Sequence, residues 1–164
     1  MTEIKQESRI FLALGSNLGD KQKNIKLAYQ KIEKRVGRIV SLSAFYVSPP
    51  DGFDSEHDFV NSVCEVICKM NIYTLFARIQ EIEKEMGRSN KSVSGVYADR
   101  IIDIDLLLAG DRVINTPTLV VPHPRMHVRS FVLEPLSEIA PDVVHPLLGK
   151  TIRQLKNELE QDWV

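Results

Sequence analysis

The sequence predicts an α+β fold, an antiparallel sheet with helices packed mainly on one face. Three observations predict it. Apolar runs of strand length recur at 9–14, 39–47, 59–70 and 100–109; two intervening segments repeat apolar residues at helical spacing; and the two patterns follow one another as β-α-β-β-α-β.

The first strand, Arg9 to Leu14, runs into the turn formers Gly15 to Asp20. Asp20 is a plausible N-cap, after which Ile25, Ala28, Ile32 and Val36 keep helical spacing until Gly37. A strand over 39–47 ends at Pro49-Pro50-Asp51-Gly52, and the polar stretch to Asp58 is a loop. A second long strand covers 59–70. Asn71 caps the next helix, whose apolar face is Ile72, Leu75, Phe76, Ile79, Ile82 and Met86 and whose C-terminal signal is Gly87. The segment 88–99 has no periodicity and reads as a long loop of the functional kind. The strand over 100–109 is the strongest in the chain, Gly110-Asp111 turns it toward 112–114, and helical patterns follow near 131–139 and 151–159. The strand and helix order is that of a ferredoxin-like sheet. No internal repeat or linker divides residues 1–164, so one domain is expected.

Composition excludes several classes. Hydrophobic residues make up 43% and charged ones 26% of 164 residues, the balance of a globular chain with a real core. The formal net charge of -1 offers no global pull toward nucleic acid or anionic membrane, so phosphate binding has to come from a local cluster. The polar start of the chain lacks a signal-peptide core, and the most apolar run, 101–109, contains Asp103 and Asp105; a cytoplasmic protein without membrane spans is expected. Cys64 and Cys68 stand four residues apart on one strand, about 13 Å between Cα atoms, which is beyond disulfide reach. With no histidine nearby they read as small core residues.

The chemistry begins in Arg100-Ile101-Ile102-Asp103-Ile104-Asp105. Strand alternation sends Ile102, Ile104, Leu106 and Leu108 to one face and both carboxylates to the other, with Cα atoms about 7 Å apart. Two carboxylates so placed repel and call for a cation, and Mg²⁺ takes one or two carboxylates together with waters and substrate phosphates. A strand with one solvated face is the alternative. Arg88 and Arg100, at the two ends of the 88–99 loop, stand ready to meet phosphates, although taken singly each is an ordinary surface arginine. His123 and Arg129 precede the third helical region, where a helix N-terminus attracts anions; a capping histidine with a surface arginine is the competing account. Phe59 and Phe131 suit a flat heterocycle, with Asn61 two residues beyond Phe59 to read its edge, but by themselves two phenylalanines also suit a core. The Gly15–Asp20 turn lacks the spacing of a phosphate loop and reads as structural.

Taken together, Leu14-Gly15-Ser16-Asn17-Leu18-Gly19, Phe45-Tyr46-Val47-Ser48-Pro49-Pro50, Asp58-Phe59-Val60-Asn61, Gly87-Arg88, Arg100 to Asp105, Val121-Pro122-His123-Pro124-Arg125-Met126 and Arg129 to Leu136 resemble the 6-hydroxymethyl-7,8-dihydropterin pyrophosphokinases over nearly the whole chain. The resemblance implies a ferredoxin-like enzyme that transfers diphosphate from ATP to the pterin hydroxymethyl group, releases AMP and uses two Mg²⁺ ions. It implies metal binding by Asp103 and Asp105, phosphate contacts by Arg88 and Arg100, and further ATP contacts by Gln80, His123 and Arg129, with Glu83 nearby. Phe59 and Phe131 match the pair that stacks the pterin, Asn61 the residue that reads its edge, with Ser48 and the backbone near Asp51 helping, and Tyr97 a loop aromatic that closes over the site. The chain departs from the family at Val96, where a basic residue is common, and at Asp99; Lys91 is a candidate substitute. Both loops, 49–58 and 88–99, are expected to close on bound substrates. The expected partners are small molecules only, the expected state a monomer with a dimer as the alternative. Two rival functions remain at this point, a two-metal phosphohydrolase and a non-catalytic nucleotide- or RNA-binding module of the same fold.

Overall fold

A computed structural model of the protein describes residues 7–50, 57–87 and 100–161. The described elements run β1 (Ser8–Ser16), α1 (Lys21–Arg35), β2 (Arg38–Leu42), β3 (Tyr46–Ser48), β4 (Phe59–Cys68), α2 (Ile72–Glu85), β5 (Asp103–Ala109), β6 (Ile114–Asn115), β7 (Val120–Val121), α3 (Ser130–Ile139) and α4 (Ile152–Gln161). A five-stranded antiparallel sheet in the order β2-β4-β1-β5, with β3 on the rest of β4, gives the expected ferredoxin-like arrangement; β6 and β7 form a separate ribbon. Most of the 49–58 loop and all of the 88–99 loop lie outside the described residues, as do Asp51, Arg88, Lys91, Val96, Tyr97 and Asp99.

Local chemistry sets the helix starts. Asp20 accepts a hydrogen bond from the Lys23 amide at 3.2 Å, and Asn71 accepts from the Tyr73 amide at 2.9 Å, each satisfying a donor of the first turn. The single strand expected over 39–47 is divided into β2 and β3. Ser43 causes the division: its amide donates to the Val63 carbonyl, and its hydroxyl oxygen takes the Val63 amide at 2.9 Å in place of a backbone carbonyl. A side chain that replaces a rung of the ladder interrupts the strand.

Strand alternation divides the interior into two cores. Ile10, Leu12 and Leu14 of β1 join Cys64 and Val66 of β4 under α1 and α2, which contribute Ile25, Ala28, Ile32, Leu75, Ile79 and Ile82. On the opposite face Phe11 and Val63 meet Val132, Leu133 and Leu136 of α3 and Ile152 and Leu155 of α4. Helices thus cover both faces: the expected layer is α1 with α2, and the two C-terminal helices add another. Each fully buried aliphatic side chain contributes roughly 1.5–3 kcal/mol. Leu108 departs from the expected alternation. Phe11 pairs with Leu108 but Leu12 with Leu106, so a bulge inserts Leu107, and Leu107 and Leu108 both enter the second core while Ala109 returns to the first. Cys64 and Cys68 are buried, unbridged thiols of the first core, and burial pushes the Cys64 thiol pKa well up. No helix among the described residues is long and apolar enough to cross a membrane.

The joint between α1 and β2 rests on a close approach. A Cβ on Gly37 would stand 2.3 Å from the Ile67 carbonyl oxygen of β4, so only a residue without a side chain lets the chain pass. Gly37→Ala is expected to cost about 1–3 kcal/mol in urea unfolding; an unchanged midpoint would mean that the joint yields without strain.

Candidate functional site

The site is built on one row of the sheet. Gly15 of β1 pairs with Asn61 on one side and Asp103 on the other, and Ala13 pairs in the same way with Val63 and Asp105. With strands about 4.8 Å apart, Asn61 and Asp103 face the same side of the sheet at about 10 Å, separated only by a glycine. The gap at Gly15 is shaped by its neighbours: a Cβ there would lie 3.3 Å from Asn61 Oδ1 and 3.3 Å from the Phe59 ring.

Asn61 is oriented by its own partners. Its Nδ2 donates to the Ser48 hydroxyl at 2.8 Å and to the Tyr46 carbonyl at 3.2 Å; because a carbonyl only accepts, the amide nitrogen must point there. Oδ1 is therefore left on the Gly15 side as an acceptor, next to the ring of Phe59. Ser48, buried on β3, thus acts on Asn61 directly.

Two side chains hold the carboxylate strand. Asn17 is fully buried; its Oδ1 accepts from the Arg100 amide at 2.6 Å, its own amide donates to the Arg100 carbonyl at 3.0 Å, and its Nδ2 donates to the His57 carbonyl at 3.3 Å. One asparagine thereby joins the end of β1 to the approach of β5 and to the segment before β4. Glu83, buried on α2, accepts from the Ile104 amide at 2.9 Å, between the two aspartates. The expected structural role of the Gly15–Asp20 turn is met by Asn17. Neither Gly15 nor Asn17 stood out in the sequence as a site residue, whereas Glu83 carried a signal, a glutamate four residues after Ile79 on an apolar helix face.

The charges converge from three directions. Arg100 is buried and its Nη1 donates to Asp103 Oδ1 at 3.3 Å, while the Asp103 side chain keeps 28% of its exposure. His123 hangs on β5 through its amide, which donates to the Leu107 carbonyl at 2.9 Å. Its Nδ1 accepts from the Arg125 amide at 3.1 Å, so the neutral ring carries its proton on Nε2. Burial, then the positive charge of Arg129, pulls its pKa down to about 4 against the opposing pull of Asp103. At neutral pH His123 is an uncharged donor beside an arginine and a carboxylate. Arg129 stands at the start of α3, its guanidinium 5.6 Å from the centre of the Phe131 ring.

Asp103, Asp105, Arg100, His123, Arg129, Asn61, Ser48 and Phe59 thus belong to one end of the sheet and the turns that border it. Gln80 is exposed on α2, three residues before Glu83. Among the described residues no group of three or more His, Cys, Asp or Glu gathers as a self-sufficient metal cage. Two partly exposed carboxylates on one face fit Mg²⁺, whose remaining ligands come from water and substrate phosphates; they fit Zn²⁺ poorly, since it prefers nitrogen and sulfur donors.

The sequence model of the 7,8-dihydro-6-hydroxymethylpterin-pyrophosphokinase family matches residues 11–141, which include every one of these positions. The chain belongs to this family. It is 44% identical to a 2-amino-4-hydroxy-6-hydroxymethyldihydropteridine pyrophosphokinase of Porphyromonas gingivalis, over 84% of this chain and 93% of the relative. It is 38% identical to the pyrophosphokinase of the same name from Aquifex aeolicus, over 91% of each chain. A crystal structure of Plasmodium falciparum HPPK-DHPS with pterin and p-hydroxybenzoate superposes with a TM-score of 0.78 at 17% identity, a likeness of fold that covers 99% of this chain and 46% of that one. The chain therefore spans less than half of that solved protein.

Two tests follow from the geometry of the candidate site. Asn17→Ala removes a buried acceptor and donor and is expected to cost about 1–3 kcal/mol in denaturant unfolding, and Asn17→Asp, which keeps the acceptor but turns a buried carboxyl oxygen toward the His57 carbonyl, is expected to be destabilised as well. The second concerns acid. His123 titrates lower when folded than its ordinary value of 6.5, so the unfolded chain takes up the proton first, and the stability due to the neutral ring is complete above about 6.5 and lost as pH falls toward about 4. In the protein without nucleotide or metal, His123→Gln is expected to unfold with a shallower acid limb than wild type between those pH values; parallel limbs would remove the histidine from the account.

Proposed function

We propose that the chain transfers diphosphate from ATP to the hydroxymethyl group of 6-hydroxymethyl-7,8-dihydropterin, releasing AMP, as one cytosolic, monomeric domain over residues 1–164 acting in folate biosynthesis. The observation that carries the reading is the Asn61–Gly15–Asp103 row, which sets an amide acceptor beside an aromatic ring at one end and a carboxylate at the other, about 10 Å apart. That spacing matches a flat heterocycle whose reacting arm reaches toward a phosphate chain. Family membership supports the same assignment.

In this reading Phe59 and Phe131 stack the pterin, Asn61 Oδ1 accepts from a ring N–H, and Ser48, with the backbone near Asp51, holds that edge. Asp103 and Asp105 hold two Mg²⁺ ions, which when bound neutralise the triphosphate and favour ionisation of the attacking hydroxyl. Arg88, Arg100, Arg129 and neutral His123, with Gln80, bind the triphosphate and the rest of ATP. The pterin hydroxyl gives up its proton to water, its oxygen forms a bond to the β-phosphorus, the bond from that phosphorus to the α-phosphate oxygen breaks, and AMP departs with the electron pair. The work of the arginines and His123 is to align the chain for in-line attack and to donate hydrogen bonds as charge moves onto the leaving oxygen. A hydrolase that attacks with water has no use for an amide and an aromatic ring beside the carboxylate pair, and family membership favours neither a hydrolase nor a non-catalytic module.

The deciding measurement is AMP formation from Mg²⁺-ATP with and without the hydroxymethyl dihydropterin. AMP is expected only with the pterin, and Asp103→Ala and Asp105→Ala are each expected to lower kcat at least about 100-fold. Release of ADP or phosphate irrespective of pterin would overturn the reading in favour of hydrolysis.

A further inference from the structure

We infer that Glu138, near the end of α3, is a positioning residue that sets the width of the aromatic slot by tying α3 to β3. The inference rests on the pterin reading of that slot. β3 is a strand of three residues that, among the described residues, pairs only with β4, where Tyr46 lies opposite Asn61 and Ser48 opposite Phe59. Behind it Ser43 ends β2, and ahead of it stands Pro49-Pro50, so neither flank extends the ladder.

The missing support comes from α3. Glu138 accepts from the Tyr46 hydroxyl at 2.6 Å through Oε1, and its Oε1 and Oε2 accept from the Ala44 amide at 3.2 and 3.0 Å. The Tyr46 carbonyl in turn accepts from Asn61 Nδ2 at 3.2 Å. A chain of hydrogen bonds thus runs from Glu138 through Tyr46 to the amide proposed to read the pterin. The hydrogen bond to the carboxylate also holds the Tyr46 phenol in its protonated form, with its pKa pushed up to about 12.

Phe131 and Glu138 are seven residues apart on α3, two turns, and so share one side of the helix. One end of α3 presents a wall of the slot while the other grips the strand that backs the opposite wall, Phe59 and Asn61. Stacking tolerates little error, because a radial gap of about 0.5–1 Å forfeits a quarter to a half of a dispersion contact. A carboxylate that fixes α3 against β3 therefore acts on pterin affinity without touching the pterin. Asp103 and Asp105 lie on β5, separated from β4 and β3 by β1.

The test is steady-state kinetics on Glu138→Ala, Glu138→Gln and Tyr46→Phe, varying pterin and ATP separately, with the melting temperature of each variant measured in parallel. Glu138→Ala is expected to raise KM for the pterin roughly three- to tenfold while KM for ATP and kcat at saturating pterin stay within about twofold. Tyr46→Phe, which removes one hydroxyl, is expected to shift the same parameter by less, and Glu138→Gln, which still accepts, to recover part of the loss. An unchanged pterin KM in Glu138→Ala alongside an active wild type would overturn the inference alone. So would an equal loss in pterin KM, ATP KM and kcat, the mark of general loosening. A wild type without pterin-dependent AMP formation would overturn both the inference and the reading beneath it.

Discussion

The site depends on a missing side chain. Gly15 occupies the middle of a cross-strand row whose neighbours are an asparagine and an aspartate, and any Cβ there would press on Asn61 Oδ1 and the Phe59 ring. A sheet face is ordinarily tiled by side chains at every second residue, which leaves no depth for a ligand. One glycine in the central strand instead lets the Asn61 amide and the Phe59 ring close in over the backbone between β4 and β5. The strands on either side of that glycine are held by their own partners: Ser48 and Tyr46 orient the amide on β4, and Asn17 and Glu83 hold the backbone of β5 and its approach.

The electrostatics follow from how each group is buried. Arg100 donates to Asp103 Oδ1 at 3.3 Å, and Asp103 remains partly exposed. A partly exposed carboxylate suits Mg²⁺, which keeps several of its waters when protein carboxylates bind it. His123 contributes a proton donor without adding charge, because burial and Arg129 both disfavour its ionised form. An overall charge of -1 is compatible with the proposed phosphate binding because Arg100 stands at Asp103, and Arg129 and Asp103 both act on His123.

Much of this was legible in the sequence. Period-two and helical spacing located β1, β4, β5 and both early helices, and Asp20 and Asn71 announced their caps through side-chain chemistry that acts within three residues. Asp103 and Asp105 were legible because carboxylates are costly on an otherwise apolar strand. What escaped depends on contacts between distant residues. The bulge at Leu107, which turned Leu108 to the second core, is set by pairing with β1 and leaves no local mark. The break at Ser43 needs a partner on β4 twenty residues on. Asn17 reads as one more turn former until its side chain meets Arg100, 83 residues away. The second helical layer was visible as two amphipathic patterns, but a pattern states that a face is buried and not which face of the sheet buries it.

That second layer explains why the site sits where it does. A ferredoxin-like sheet covered on one side only would leave Phe11, Val63, Leu107 and Leu108 exposed on the other, a contiguous apolar surface that a monomer rarely tolerates. α3 and α4 cover those residues, while Asn61, Gly15 and Asp103, farther along the same face, form the polar row. The carboxylates and the amide therefore lie beside a packed layer rather than on an open plane, and the first turn of α3 brings Phe131 against that second core. The same burial that stabilises the C-terminal helices thus supplies the apolar wall that a stacked ring needs. Removing the layer would cost more than stability, because the polar row would lose the surface against which a ligand is held.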